Sequence, residues 1–195
     1  GVARQDRGAP QSGMTLPATL RAAVEAHATR HMGRAVRMVG VQPVHGGCIN
    51  QAACVRFDDG SGAFLKWNSN APRSMFRAEA EGLEALRATA TVRIPRVIGW
   101  ADTAHHGSPP HLVLEDATLP LADAPPCGED HLVRLGRELA AMHRATAPRF
   151  GFHADNFIGQ TPQPNPQCDS WEDFFREHRL LHMIRLLAQD GTITR

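Results

Sequence analysis

From Leu16 to about His31 the apolar residues Leu20, Val24 and Ala28 recur at every fourth position, the spacing of one face of an amphipathic helix. Thr15 is expected to cap that helix, with Pro17 in its first turn. The period then changes. Ala35–Val44 alternates loosely as a strand, His45-Gly46-Gly47-Cys48 interrupts it, and Ile49–Phe57 resumes as a second strand. Asp58-Asp59-Gly60-Ser61-Gly62 is a strong turn signal before a short third strand, Ala63–Trp67. These three segments predict an antiparallel meander with tight links. Phe76, Ala80, Leu83 and Leu86 mark a helix over Ser74–Ala88, and Ile94–Trp100 and His111–Glu115 read as two further strands. A proline-rich connector, Leu119–Pro126, separates them from a helix over Glu129–Arg144 with Leu132, Leu135, Leu139 and Met142 on one face. Pro148–Asp169 reads as a loop and Ser170–Gln189 as a last helix.

The order β-β-β-α-β-β, a connector and then helices predicts an α+β lobe over 14–118 followed by the first part of a helical lobe over 119–195. Residues 1–13 are polar and read as a disordered lead. A chain that is 42% hydrophobic and 21% charged, with net charge +1, has the composition of a globular protein. Its neutral balance gives no support for a nucleic-acid or membrane partner, and no apolar stretch reaches the roughly 20 residues of a membrane span. Four cysteines without a C-x-x-C pair do not make a disulfide framework, so a reducing, cytoplasmic setting is expected.

One detail of composition changes the picture. Of the 21 cationic side chains, Lys66 is the single lysine and the rest are arginine. Arginine would serve at any indifferent surface position, so a lone lysine raises the question of which chemistry needs a compact point charge on a flexible stem. Phosphate binding is one answer. Lys66 falls on the third strand, behind a Gly46-Gly47 turn that joins the first two, and Glu79 falls on the helix that follows. That is the order of parts that cradles a nucleotide in kinase-type lobes: a loop over the phosphates, a strand lysine on them, and a helix carboxylate that holds the lysine. Each part alone has a plainer reading, as a turn, an edge residue or a solvated helix face. There is no G-x-G-x-x-G and no Walker loop. The order and spacing together carry the weight.

These residues sit in longer stretches: Gly46-Gly47-Cys48-Ile49-Asn50, Phe64-Leu65-Lys66-Trp67-Asn68, Met75-Phe76-x-x-Glu79-Ala80, and Leu112-Val113-Leu114-Glu115. Further on come Leu135-Gly136-x-x-Leu139-Ala140-x-Met142-His143-Arg144, Phe150–Gly159, and Trp171-x-x-Phe174-Phe175-x-x-His178-Arg179-Leu180. Together they resemble the fructosamine/ketosamine-3-kinase family, within the protein-kinase-like superfamily shared with aminoglycoside phosphotransferases. The resemblance runs over about 14–190, and the segment 150–180 separates it from the aminoglycoside kinases. It implies a protein-kinase-like fold, an N-lobe antiparallel sheet with a helix and the start of a helical C-lobe. It also implies ATP-dependent phosphorylation of the 3-hydroxyl of ketoamine sugar adducts on amines or protein lysines, and so protein deglycation. By the same resemblance Lys66 contacts the ATP phosphates, Glu79 pairs with it, Gly46, Gly47, Cys48, Ile49 and Asn50 form the covering loop, and Glu115 begins the hinge that holds adenine through backbone groups.

The family pattern continues into a His-Gly-Asp catalytic loop with a downstream Asn and then an Asp that binds Mg²⁺. None of these occurs among the 195 residues. His153-Ala154-Asp155-Asn156 is a decoy, because the position five after the Asp is Gln160. No catalytic residue and no metal ligand is therefore expected within this chain, which reads as C-terminally truncated, inactive alone, and left with exposed apolar helical surface. The alternatives are a non-catalytic nucleotide-binding or interaction module, and a kinase for another hydroxyl substrate such as an aminoglycoside.

Lesser signals remain. Cys48 in the glycine turn is a redox candidate whose disulfide exchange would make a homodimer, against the plainer reading of a small residue in a tight loop. His27/His31 and His178/His182 have helical i,i+4 spacing but no third ligand. Trp171, Phe174 and Phe175 are expected to face a core. Arg176 and Arg179 are expected to be solvated or ion-paired.

Overall fold

The computed structural model describes residues 14–47, 49–102, 107–117 and 131–192. The lead 1–13, Cys48, His105-His106, the connector Leu119–Pro126 and Cys127 lie outside the described residues. The described residues group into two units, one formed up to Asn70 and again from Val97, the other by Ala71–Arg96 and the residues from His131 onward.

The first unit holds α1 (Ala18–Met32) and a five-stranded antiparallel sheet of β1 (Met38–Val44), β2 (Gln51–Phe57), β3 (Gly62–Trp67), β4 (Val97–Ala101) and β5 (His111–Glu115). The strand order is β1-β2-β3-β5-β4, so the expected meander forms and β5 inserts between β3 and β4. The four-residue period of α1 does what it predicts: Leu20, Val24 and Ala28 are fully buried. They pack with Ala53, Val55 and Phe57 of β2, Ala63, Leu65 and Trp67 of β3, and Val113 of β5. Period-two alternation puts every second residue of these strands on the α1 side of the sheet. Two hydrogen bonds clip α1 to the start of β1: Arg21 Nη1 donates to the Met38 carbonyl at 2.7 Å, and the Met38 amide donates to Glu25 Oε1 at 2.8 Å. The helix starts two residues later than expected. Pro17 stands at the cap without a side-chain bond, so Thr15 does not cap it, and Gly33 closes the C-terminus in the left-handed region.

The second unit contains α2 (Met75–Ala88), α3 (His131–Met142), a hairpin of β6 (Asn156–Ile158) and β7 (Thr161–Gln163), and a last helical run. That run is continuous but not uniform: α4 (Trp171–Phe175) passes through a π-helical turn, Arg176–Leu180, into α5 (Leu181–Gln189). Ser170 Oγ caps α4 by accepting from the Asp173 amide. Met75, Phe76 and Ala80 are the buried residues of α2, which packs against β6.

The segment between α3 and α4 has more order than a loop. Phe150 and Cys168 exchange two backbone hydrogen bonds of 2.8 Å, and Gly151 follows at φ 124°. A Cβ there would stand 2.4 Å from the Pro166 carbonyl oxygen, so only glycine fits. Asn165 is the hub of the segment. Its amide donates to Asp155 Oδ1, its Nδ2 donates to the Ala154 carbonyl, and Arg179 donates to its Oδ1 and to the Pro164 carbonyl. Arg179 also lies over the Phe174 ring, 4.5 Å from its centre. Arg176 is ion-paired with Asp173 and Glu177 as expected, but Arg179 is a half-buried structural donor with no carboxylate in these contacts. Of the three aromatics expected in a core, Phe174 is buried while Trp171 and Phe175 are exposed.

Candidate nucleotide-binding site

Lys66 is half-buried on β3, and its cross-strand partners are Ala52 on β2 and Leu112 on β5. Its neighbours in sequence, Leu65 and Trp67, belong to the α1 core, so Lys66 occupies the opposite face of the sheet with Ala52, Cys54 and Phe64. Ala52 is the second residue of β2, two residues beyond Asn50. The sheet register therefore sets the single lysine directly across from the exit of the glycine turn.

The turn itself is tied to the lysine strand. Asn68, two residues after Lys66, donates through Nδ2 to the Ile49 carbonyl at 3.1 Å and to Asn50 Oδ1 at 3.2 Å. Its own amide donates to the Pro110 carbonyl at 3.1 Å, just ahead of β5. Gly46 has φ 122°, a conformation that L side chains avoid, and its backbone is open to solvent. A Cβ on Gly47 would meet the Asn50 carbonyl at 3.3 Å. Ile49 and Asn50 are thus anchored to the residue that follows the lysine strand, with Gly46 and Gly47 ahead of them on the chain. Asn68 is the residue that single-site reasoning passed over. Its position in the Lys66 stretch was visible, but its reach back to the turn needs the β2–β3 register.

Glu115 closes β5 opposite Ala63, on the α1 side of the sheet. Side-chain contact with a ligand on the lysine face is therefore not its part, and any role at a hinge falls to its backbone. Glu79 lies on α2, in the second unit. Cys54 shares the lysine face, where burial first, and then the negative charge of Asp116, push its thiol up from the ordinary value. That makes it a poor nucleophile.

On the α1 side the half-buried His27 meets the buried His111, a pairing that the sequence did not single out. The His27 and His111 rings meet edge to face, 5.4 Å apart. Burial, then His111 and Arg30, lower the His27 imidazole to about 4, and burial lowers His111 as well. His111 Nδ1 donates to the Pro109 carbonyl at 2.8 Å. Both rings are neutral at pH 7, and they serve the packing of α1. His178 stacks near Phe174 and His182 contacts the Pro162 carbonyl. In the decoy loop, Asp155 is occupied in holding Asn165. Among the described residues no three His, Cys, Asp or Glu side chains converge as a metal ligand set, and no helix is long and apolar enough to cross a membrane.

A five-stranded sheet with a lysine on its third strand, a tethered glycine turn and a helical second unit define a chain of protein-kinase-like fold. The fructosamine kinase family profile matches residues 20–195, and the chain belongs to that family. It is similar to the probable ketoamine kinase of Synechocystis, 43% identical over 155 residues that cover 79% of this chain and 50% of the relative. It is also similar to the chloroplastic protein-ribulosamine 3-kinase of Oryza sativa subsp. indica, 36% identical over 159 residues, covering 80% and 44%. Among solved structures, one from Thermobifida fusca assigned as a fructosamine-3-kinase superposes with a TM-score of 0.67 at 31% identity, over 88% of this chain and 56% of that one. Another with the same assignment, from Haemophilus somnus, gives a TM-score of 0.72 at 23% identity, over 87% and 55%, and shares the fold. The chain spans about half the length of the curated relatives it matches.

Proposed function

We propose that the sheet face carrying Lys66 binds the phosphates of ATP beneath the Gly46–Asn50 turn. We further propose that this chain is the nucleotide-binding part of an enzyme that phosphorylates the 3-hydroxyl of ketoamine adducts and so promotes their removal from amines and protein lysines. The observation that carries the reading is the register: the single lysine stands across from Ala52, at the exit of a glycine turn held down by Asn68. Phosphoryl transfer needs charge neutralisation and positioning more than covalent chemistry. Lys66 supplies the first as a flexible ammonium, and the turn supplies the second through backbone N–H groups. Glu79 is assigned to hold Lys66, and the backbone at Glu115 to meet the adenine.

The described residues offer no set of converging ligands that fits Mg²⁺. The chain also has no His-Gly-Asp loop. We therefore assign it binding without turnover.

Titration with a fluorescent ATP analogue tests the reading. The chain should bind it, Lys66→Ala should weaken binding at least about tenfold, as expected for loss of a charge-assisted phosphate contact, and Glu79→Gln should weaken it less. Equal binding by the Lys66→Ala variant would overturn the site. Phosphorylated ketoamine formed by the chain alone would overturn the assignment of binding without turnover.

A further inference from the structure

Arg56, Gly62 and Asp116 form a row across three strands, at the end of the lysine face away from Lys66. Arg56 pairs with Gly62 in the β2–β3 register. Gly62 and Asp116 come one residue beyond the Ala63–Glu115 pair of β3 and β5. Arg56 Nη1 lies 3.4 Å from Asp116 Oδ2, with the carboxylate side chain 1% exposed and the arginine 45% exposed. Gly62 makes the crossing feasible: a Cβ there would stand 2.6 Å from Arg56 Nη1 and 3.3 Å from Asp116 Oδ2. The three residues therefore work as one device. A carboxylate this deeply buried needs its cation, and the cation reaches it only because β3 has no side chain in the way.

We propose that Asp116 is a positioning residue for the base end of the nucleotide site, acting through Arg56. The inference rests on the nucleotide reading above. Asp116 directly follows Glu115, where the chain leaves β5 at the assigned hinge, and Arg56 lies on the strand that begins at the glycine turn. The ion pair thus fixes the hinge backbone against β2. Lys66 is four residues along β3 from Gly62, about 13 Å at strand rise, which separates the base end from the phosphate end. Adenine and guanine present opposite donor and acceptor patterns on the edge that a hinge backbone reads, so a fixed hinge discriminates between them. A loosened hinge does not.

Calorimetric titration of the chain with ADP and with GDP tests this. Wild type should prefer ADP. Asp116→Asn should weaken ADP about tenfold, the scale of a hydrogen-bonding edge no longer matched, with GDP changed less than about twofold. Gly62→Ala, which displaces the arginine tip while keeping the carboxylate, should reproduce the loss of preference, and the double variant should add little to either. Equal weakening of both nucleotides, or an unchanged ratio in the Gly62→Ala variant, would overturn the positioning role and leave the nucleotide site standing. A wild-type chain that binds neither nucleotide would overturn the nucleotide reading and this inference with it.

Discussion

In the first unit Leu20, Val24 and Ala28 of α1 disappear completely against β2, β3 and β5, whereas in the second unit no residue of α3 or α5 is buried. Leu132, Val133, Leu135 and Leu139 of α3, and Met183, Ile184 and Leu187 of α5, are all exposed large apolar residues. The sequence contrast runs the other way. The leucine stripe of α3 is sharper than the mixed Leu-Val-Ala face of α1. Periodicity reports that a helix has a face requiring cover. It does not report that the same 195 residues supply the cover. The first unit closes its own core, and the second presents apolar helix faces of the kind that mark interaction surfaces.

Four measurements press on that difference. The largest effect is expected in the first unit: Leu20→Ala removes a fully buried side chain beneath the sheet and should cost about 2–5 kcal/mol, read from the urea midpoint. Next comes Gly151→Ala in the second unit, where φ 124° and the Pro166 carbonyl leave no room. It should cost about 1–3 kcal/mol, and a neutral result would show that the turn does not hold that unit together.

Smaller is the pH response of the histidine pair. His27 and His111 have folded-state values below their unfolded ones, so the unfolded chain binds more protons. Stability should be full above about pH 6.5 and fall as pH drops toward 4. His27→Gln should flatten that slope, and an unflattened slope would assign it to other groups. Smallest is Leu135→Ala on α3, expected to shift stability by less than about 0.5 kcal/mol, as for an exposed site. A loss comparable to that of Leu20→Ala would mean that α3 is covered in solution, for instance by a second copy of the chain.

The sheet and α1 were legible because alternation and the four-residue period are local properties. The connecting turn at residues 58–62 was equally plain, since Asp-Asp-Gly-Ser-Gly admits little else. The β6–β7 hairpin was not, because Asn-Phe-Ile and Thr-Pro-Gln are too short to alternate and one contains a proline. The candidate site is an order of parts in the sequence, Gly46-Gly47, Lys66, Glu79 and Glu115, and the register adds the sheet face on which the lysine stands. What escaped was non-local. Asn68 reaching the turn, His27 meeting His111, and Arg56 crossing β3 to Asp116 each join segments that no window of sequence contains together. The reading of Trp171, Phe174 and Phe175 as one core-facing group failed for a related reason: helical spacing fixes which residues share a side, not how deep that side lies.

The π-helical turn at Arg176–Leu180 acts as a phase shifter. It holds one residue more than an α-helical turn would, so every side chain beyond it is rotated by about 100° from where an unbroken helix would carry it. Removing one residue from that turn would preserve the helix and its composition, yet swing Met183, Ile184 and Leu187 round to a different azimuth. The bearing of that apolar stripe is thus stored in a single surplus residue.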